Sequence, residues 1–242
     1  MKYPLSEKDN LKGLTAAVTI IVLWAVNLIY LLQTEVTIQK YHLIPLFFLQ
    51  ILLYTGLFIT AHDAMHGIVS HRNRRLNDFI GQLALTLFAL FSLRKMLPKH
   101  HEHHLHPASE KDPDFHDGKH RSIFAWYFRF FTAYASWIQI AGLAVLYNIL
   151  HHLLGVAQIN LILFWLIPSL LSSFQLFFFG TYLPHREIGS GYADEHRARS
   201  NDYPVWLSFL TCYHFGYHHE HHVYPWVPWW KLPEVREESL QQ

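Results

Sequence analysis

Three short stretches carry histidines at helical spacing: His62-Asp-Ala-Met-His66, His100-His-Glu-His103-His104 and His218-His-Glu-His221-His222. Residues three and four apart share one face of a helix, so each stretch aims two or three imidazoles in one direction. Neutral imidazole binds first-row transition metals well, and several per ion can complete a coordination shell without thiolate. His62, His66, His100, His103, His104, His218, His221 and His222 together suffice to hold two ions and are the expected catalytic ligands. A shell made only of nitrogen leaves such a site cationic, so nearby carboxylates should orient and balance it. Asp63, Glu102, Asp202 and Glu220 are the candidates, the alternative for each being a solvated helix face.

Cys212 is the only cysteine, which excludes an intrachain disulfide and sites built on several thiolates. His185, in Thr181-Tyr-Leu-Pro-His185-Arg186, follows a long apolar run and reads as a ninth ligand rather than an interfacial side chain. Pro184 favours that reading: it has no backbone N–H, so the helix should kink or end there and could swing His185 inward. His214, one turn before His218, could face the site or simply pack. His101 and His219 leave open which of each adjacent pair points inward, the spacing favouring His100 and His218. His116, in Asp112-Pro-Asp-Phe-His116, could stand behind the ligands, whereas His71, His106, His120 and His196 read as loop residues.

The elements that must position these side chains are apolar. Half of the 242 residues are hydrophobic and 16% aromatic, yet the mean hydropathy is only slightly positive. Apolar spans therefore alternate with a polar, histidine-rich portion. Uncharged stretches at residues 14–33, 43–61, 130–150 and 159–183 are each long enough to cross ~30 Å of hydrocarbon. Residues 79–93 are too few to cross and suit a re-entrant or interfacial helix. The expected fold is an all-α integral membrane protein in one domain over residues 1–242: four transmembrane helices plus that re-entrant or interfacial helix. The first span reads as retained, since no cleavage signal follows it.

Lys40 is the only basic residue in the loop of residues 34–41, and residues 151–158 carry no Lys or Arg. The basic residues gather at the N-terminus, in the segment after the second span and in the C-terminal part. The positive-inside rule then puts both termini and the histidine-rich metal site on the cytoplasmic side of a bacterial inner or thylakoid-type membrane. His42, His151 and His152 fall on the opposite face and are excluded as ligands. Lys and Arg nearly balance Asp and Glu, 19 against 18, so no charged field points to nucleic acid. Turn-rich connections occupy residues 107–117 and 188–202.

The three boxes resemble those of the membrane fatty-acid desaturase/hydroxylase superfamily. Longer blocks are similar to one branch of it, the bacterial and cyanobacterial β-carotene ketolases, or carotenoid 4-oxygenases. These are Phe58-Ile-Thr-Ala-His62 through Gly67, Lys99 through His104 leading to Asp112-Pro-Asp-Phe-His116, Phe179-Gly-Thr-Tyr-Leu-Pro-His-Arg186, and Asn201-Asp-Tyr-Pro through His222 with Tyr224-Pro225 and Pro228-Trp-Trp-Lys-Leu-Pro233. The resemblance implies two non-haem iron ions, O₂ as co-substrate, an external electron donor such as ferredoxin, and a carotenoid drawn from the bilayer. The implied reaction hydroxylates the allylic C4 methylene of a β-ionone ring twice, and the gem-diol loses water to leave a ketone. β-Carotene would give echinenone and then canthaxanthin. Imidazole spacing alone chooses neither iron over zinc nor a carotenoid over a fatty-acyl chain, so a desaturase or hydroxylase with the same site is the nearest rival, a ring 3-hydroxylase a related one. A His-rich metal transporter would also explain the ligands, but transporters carry ionisable groups near the bilayer midplane and these spans do not.

Overall fold

The computed structural model describes residues 2–37, 39–189 and 191–241, which among them form helices joined by turns and one isolated antiparallel bridge, Ser200 to Tyr217. Helix α1 (Glu7–Gln33) starts with a capping box in which Ser6 Oγ accepts from Asp9 N and the Asp9 carboxylate accepts from Ser6 N. It runs beside α2 (Leu43–Met65). Helices α3 (Arg74–Ala89) and α4 (Leu93–Leu105) meet at 98°, and α5 (Ile123–Tyr134) and α6 (Trp137–Leu153) meet at 86°. A third long helix, α7 (Gln158–His185), is followed by the short helices α8 (Val205–Cys212), α9 (His218–Val223) and α10 (Leu232–Leu240).

Among the described residues, only α1, α2 and α7 are long and apolar enough to cross a bilayer unbroken, and counting each bent pair as one crossing raises the number to five. They contain the expected spans at residues 14–33, 43–61 and 159–183. The span expected at residues 130–150 is broken instead. Ser136-Trp-Ile-Gln139 forms a capping box, with Gln139 N donating to Ser136 Oγ and Ser136 N donating to Gln139 Oε1. That box starts a new helix in the middle of an apolar run. The Gln139 amide also donates to the carbonyl of Ala89 at the end of α3, tying one elbow to the other. The region expected as a re-entrant helix, residues 79–93, becomes the second half of α3 and its elbow. There Gln82 accepts from Leu93 N at 2.9 Å and donates to Phe91 O at 3.0 Å.

Several polar side chains between the long helices are paired, as an apolar surrounding favours. Thr55 of α2 meets Ser172 and Gln175 of α7, each at 2.9 Å. The Asn160 amide donates to the carbonyls of Leu31, Leu32 and Thr34, satisfying the otherwise orphaned C-terminus of α1. Both termini and all three histidine boxes share one end of the bundle: Tyr3 bonds Glu238, Lys231 pairs with Asp9 at 2.7 Å, and Trp229 N donates to Asp63. His42 lies at the other end of α2, against Tyr30, and His151 bonds the Val156 carbonyl in the far loop. Alanine at His42, His151 or His152 is therefore expected to leave metal content and turnover intact. Loss of metal from a well-expressed His151→Ala protein would overturn this arrangement of the helices.

Candidate metal centre

Helix α2 delivers His62 in its last turn and His66 at its end. The end is a Schellman motif: Ile68 N donates to Asp63 O and Gly67 N to Ala64 O, each at 3.0 Å, with Gly67 at φ +75°. Only glycine takes that conformation without a Cβ penalty, so Gly67 sets where His66 stops. Helix α4 presents His100, His103 and His104, and α9 presents His218, His221 and His222. Helix α7 ends on His185, with Arg186 extended. Its preceding turn, Phe178–Tyr182, is π-helical, and Leu183 N reaches back to Phe178 O. The helix ends one residue after Pro184, whose missing N–H gives it no bond to the preceding turn, and a π-turn near a site is a common device for re-aiming a side chain.

The nine histidines fall into two groups. Ring nitrogens of His62, His66, His100, His104 and His221 lie within 4.8 Å of one another, as do those of His103, His185, His218 and His222. In each H-x-x-H-H box the i, i+4 pair serves one group and the remaining histidine crosses to the other. Helix geometry produces this division, because residues four apart differ by about 40° around the axis while adjacent residues differ by about 100°.

The spacing is that of ligands around an ion. Nitrogens 2.0–2.1 Å from a metal and at right angles to each other are about 3 Å apart. His66 Nε2 lies 2.7 Å from His100 Nε2, His104 Nε2 3.0 Å from His221 Nε2, and His222 Nε2 3.1 Å from both His103 Nε2 and His218 Nε2. Their protonation points the same way. His185 Nδ1 faces the carbonyl of Arg197 at 2.9 Å, which can only accept, so Nε2 carries the lone pair; it is buried without a partner. His103 Nδ1 donates to Asp112 at 3.0 Å, which turns its Nε2 toward that group. Burial first, then neighbouring imidazoles, hold His218, His221 and His222 well below the usual histidine range, so they stay neutral. Buried imidazole nitrogens converging this closely form a site that a cation would satisfy. The residues present suit two imidazole-bound transition-metal ions.

Of the expected supporting carboxylates, Asp63 is buried, 3.5 Å from His62 Nδ1. Glu220 is buried but holds Ser200 and Arg236, fixing α9 to the C-terminal helix rather than touching an imidazole. Glu102 is half exposed, 3.8 Å from His106, and Asp202 is exposed. Neither stands against a box histidine; Glu102, two residues from both His100 and His104, points off the opposite side of α4. Asp112 and Asp114, unmarked by the sequence reading, are the carboxylates at His103. Asp112 also accepts from Ala108 N and Asp114 N, each at 2.8 Å, so the turn of residues 107–117 is wound around it. Burial opposes its charge, but His103 and these N–H groups hold its carboxyl below the usual range. Asp114 accepts from Tyr134, and burial together with Asp112 pushes it up to about 6. The buried Asp-Pro-Asp was the available signal, masked by its look of an ordinary turn.

The remaining histidines belong to neither group, although the His196 ring comes within 6.4 Å of His222. His101 is exposed, and His219 pairs with Asp194 at 2.7 Å. His116 accepts from Gly118 N and packs on Phe115 and Trp126. His214 stacks on Tyr217 and Trp229, a packing position. Cys212 is fully buried in the apolar core among Leu53, Leu57 and Tyr213.

A cavity opens on both groups, reaching His62, His100, His103 and His218 between walls of Phe58, Met96, Phe130, Leu176 and Phe215. Phe215 packs edge-on to His62, with ring centroids 4.4 Å apart. It can do so because α7 has no side chain opposite it: a Cβ on Gly180 would stand 2.7 Å from the ring. These apolar walls face the histidines on that side, where they limit the access of bulk water.

The chain matches the fatty acid desaturase family over residues 39–140 and 131–242. It is 42% identical to a zeaxanthin 4-ketolase of Chlamydomonas reinhardtii over 95% of its length, spanning 54% of that protein. It is 38% identical to β-carotene 4-ketolase 3 of Haematococcus lacustris, covering 94% of this chain and 80% of the relative. Against a β-carotene ketolase of Paracoccus sp. (strain N81106 / MBIC 01143) the identity is 48% over 76% of this chain and 75% of that one. No solved structure matches the chain.

Proposed function

We propose that this chain, which belongs to the fatty acid desaturase family, oxidises the C4 methylene of β-ionone rings to a ketone, taking β-carotene to its mono- and diketones. The observation that carries the reading is the pair of histidine groups opening onto an apolar cavity, in a chain whose relatives named as ketolases are 38–48% identical to it. His62, His66, His100, His104 and His221 would hold one iron, and His103, His185, His218 and His222 the other. When bound, the two irons supply the redox chemistry that activates O₂. Per ring, CH₂ + 2 O₂ + 4 e⁻ + 4 H⁺ gives C=O + 3 H₂O, through two hydroxylations and loss of water from the gem-diol. The electrons come from an external donor protein, and both termini and the histidine end face the cytoplasm, in keeping with the distribution of Lys and Arg.

The chain's own residues bind and orient. Phe58, Met96, Phe130 and Leu176 desolvate the ring and aim C4 at the histidines, which fixes the geometry of attack. Asp112 and the Arg197 carbonyl hold His103 and His185 in the tautomer that presents Nε2. Phe215 closes the cavity on the α9 side. Gly180→Ala drives a methyl into the Phe215 ring, at a cost of about 1–3 kcal/mol. It should lower ketone yield more than metal content, as pigment and metal analysis of the same preparation would read; equal falls in both would mean that the change acts on folding.

Expression in a β-carotene-producing bacterium, followed by pigment analysis, tests the reaction. New ketocarotenoids are expected, and none with His221→Ala. Unchanged carotene beside altered acyl chains would assign the protein to the desaturases instead.

A further inference from the structure

From the histidine groups toward the other end of the bundle, three cavities follow one face of α7. The cavity at the histidines shares Phe58, Met96, Phe130, Tyr134 and Leu176 with a second, which adds Phe88, Phe91 and Ser173. Phe88 is shared in turn with a third, between α6 and α7, bounded by Ala144, Tyr147, Asn148, Trp165 and Ser169. The α7 residues in these walls include Trp165, Ser169, Ser173, Leu176 and Gly180, with Leu166 and Thr181 beside them at the two ends. The first five recur at intervals of three and four, so they form one stripe. At 1.5 Å per residue the stripe is on the order of 20 Å long, most of the ~30 Å of hydrocarbon that α7 would cross. Beyond the histidine end its walls carry no charged side chain. The small side chains Ser169, Ser173 and Ala144 leave room where bulkier ones would close it.

We propose that these cavities are one corridor for a straight polyene lying along α7, with one end ring at the histidine groups and the other beside Ala144 and Trp165, so that a single ring is oxidised per binding event. The inference rests on the ketolase reading. Conjugation blocks rotation about the bonds of a polyene, which is therefore a rod that cannot fold back to offer both ends to one site. The two histidine groups stand at one end of the corridor. The corridor is too narrow for a rod to turn end over end, so the mono-ketone must leave and return reversed before its second ring can react.

Two experiments on membranes carrying the full chain test this. In the first, labelled β-carotene is supplied with an excess of unlabelled mono-ketone. The label in the diketone should be diluted in proportion to the excess; undiluted labelled diketone would overturn the proposal. In the second, Ala144→Trp fills the far cavity, and turnover of β-carotene is compared with that of a truncated polyene bearing one β-ionone ring. The ratio of full-length to truncated turnover should fall by about tenfold or more, the scale on which an apolar pocket discriminates by size. A general folding defect lowers both and leaves the ratio unchanged, and an unchanged ratio overturns the corridor. Oxidation of the truncated ring by the unaltered chain upholds the ketolase reading whatever the corridor does; if the unaltered chain oxidises neither substrate, that reading falls and takes the corridor with it.

Discussion

His185→Gln is expected to remove the metal of the four-histidine group, so that bound iron falls from about two per chain toward one and ketocarotenoid formation drops by at least ~100-fold. Glutamine keeps polarity and approximate size, and its amide can still reach the Arg197 carbonyl that holds His185 Nδ1. What it lacks is a neutral aromatic nitrogen at the position of Nε2, which is buried without any partner. His103, His218 and His222 would remain as three ligands in a pocket shaped for four. Metal analysis of anaerobically purified protein and pigment analysis of the same cells should fall together. Full iron with normal turnover would make His185 a packing residue at the end of α7 and leave eight ligands.

Asp112→Ala is expected to weaken metal retention by about 10–100-fold, the usual effect of losing a partner behind a ligating imidazole. Alanine also frees the Ala108 and Asp114 N–H groups, so it should unwind the turn of residues 107–117 and lower the melting temperature. Asp112→Asn separates the two roles in part. Ala108 N donates to Oδ2 and Asp114 N to Oδ1, so the single amide oxygen of Asn keeps one of the two bonds and restores part of the turn, while a neutral amide polarises His103 less than a carboxylate does. The melting temperature should fall between those of Asp and Ala, and loss of metal to a competing chelator, followed against time, should be faster for Asn than for Asp. Equal rates would reduce Asp112 to a purely structural part of the turn.

What the sequence determined by itself is local. Helical spacing marked the eight box histidines, Pro184 marked where α7 ends, and long uncharged runs marked three unbroken spans, because each depends on residues within a turn or two of one another. The break at Ser136 was equally local, and its S-x-x-Q capping box was overshadowed by the apolar run around it. The division into five and four histidines was not legible in the same way. Periodicity separates His103 from His100 and His104, but which group each side joins depends on how α4 and α9 face each other and α2. The loops hid the most. Asp112 and the Arg197 carbonyl sit in turn-rich connections that read as linkers, and only the folded chain brings them behind His103 and His185. Imidazoles can be counted along a chain, whereas the partners that fix their tautomers come from distant segments and include a backbone carbonyl, a group every residue has. Tertiary packing therefore decided the partition of the histidines, the groups behind them and the cavities along α7.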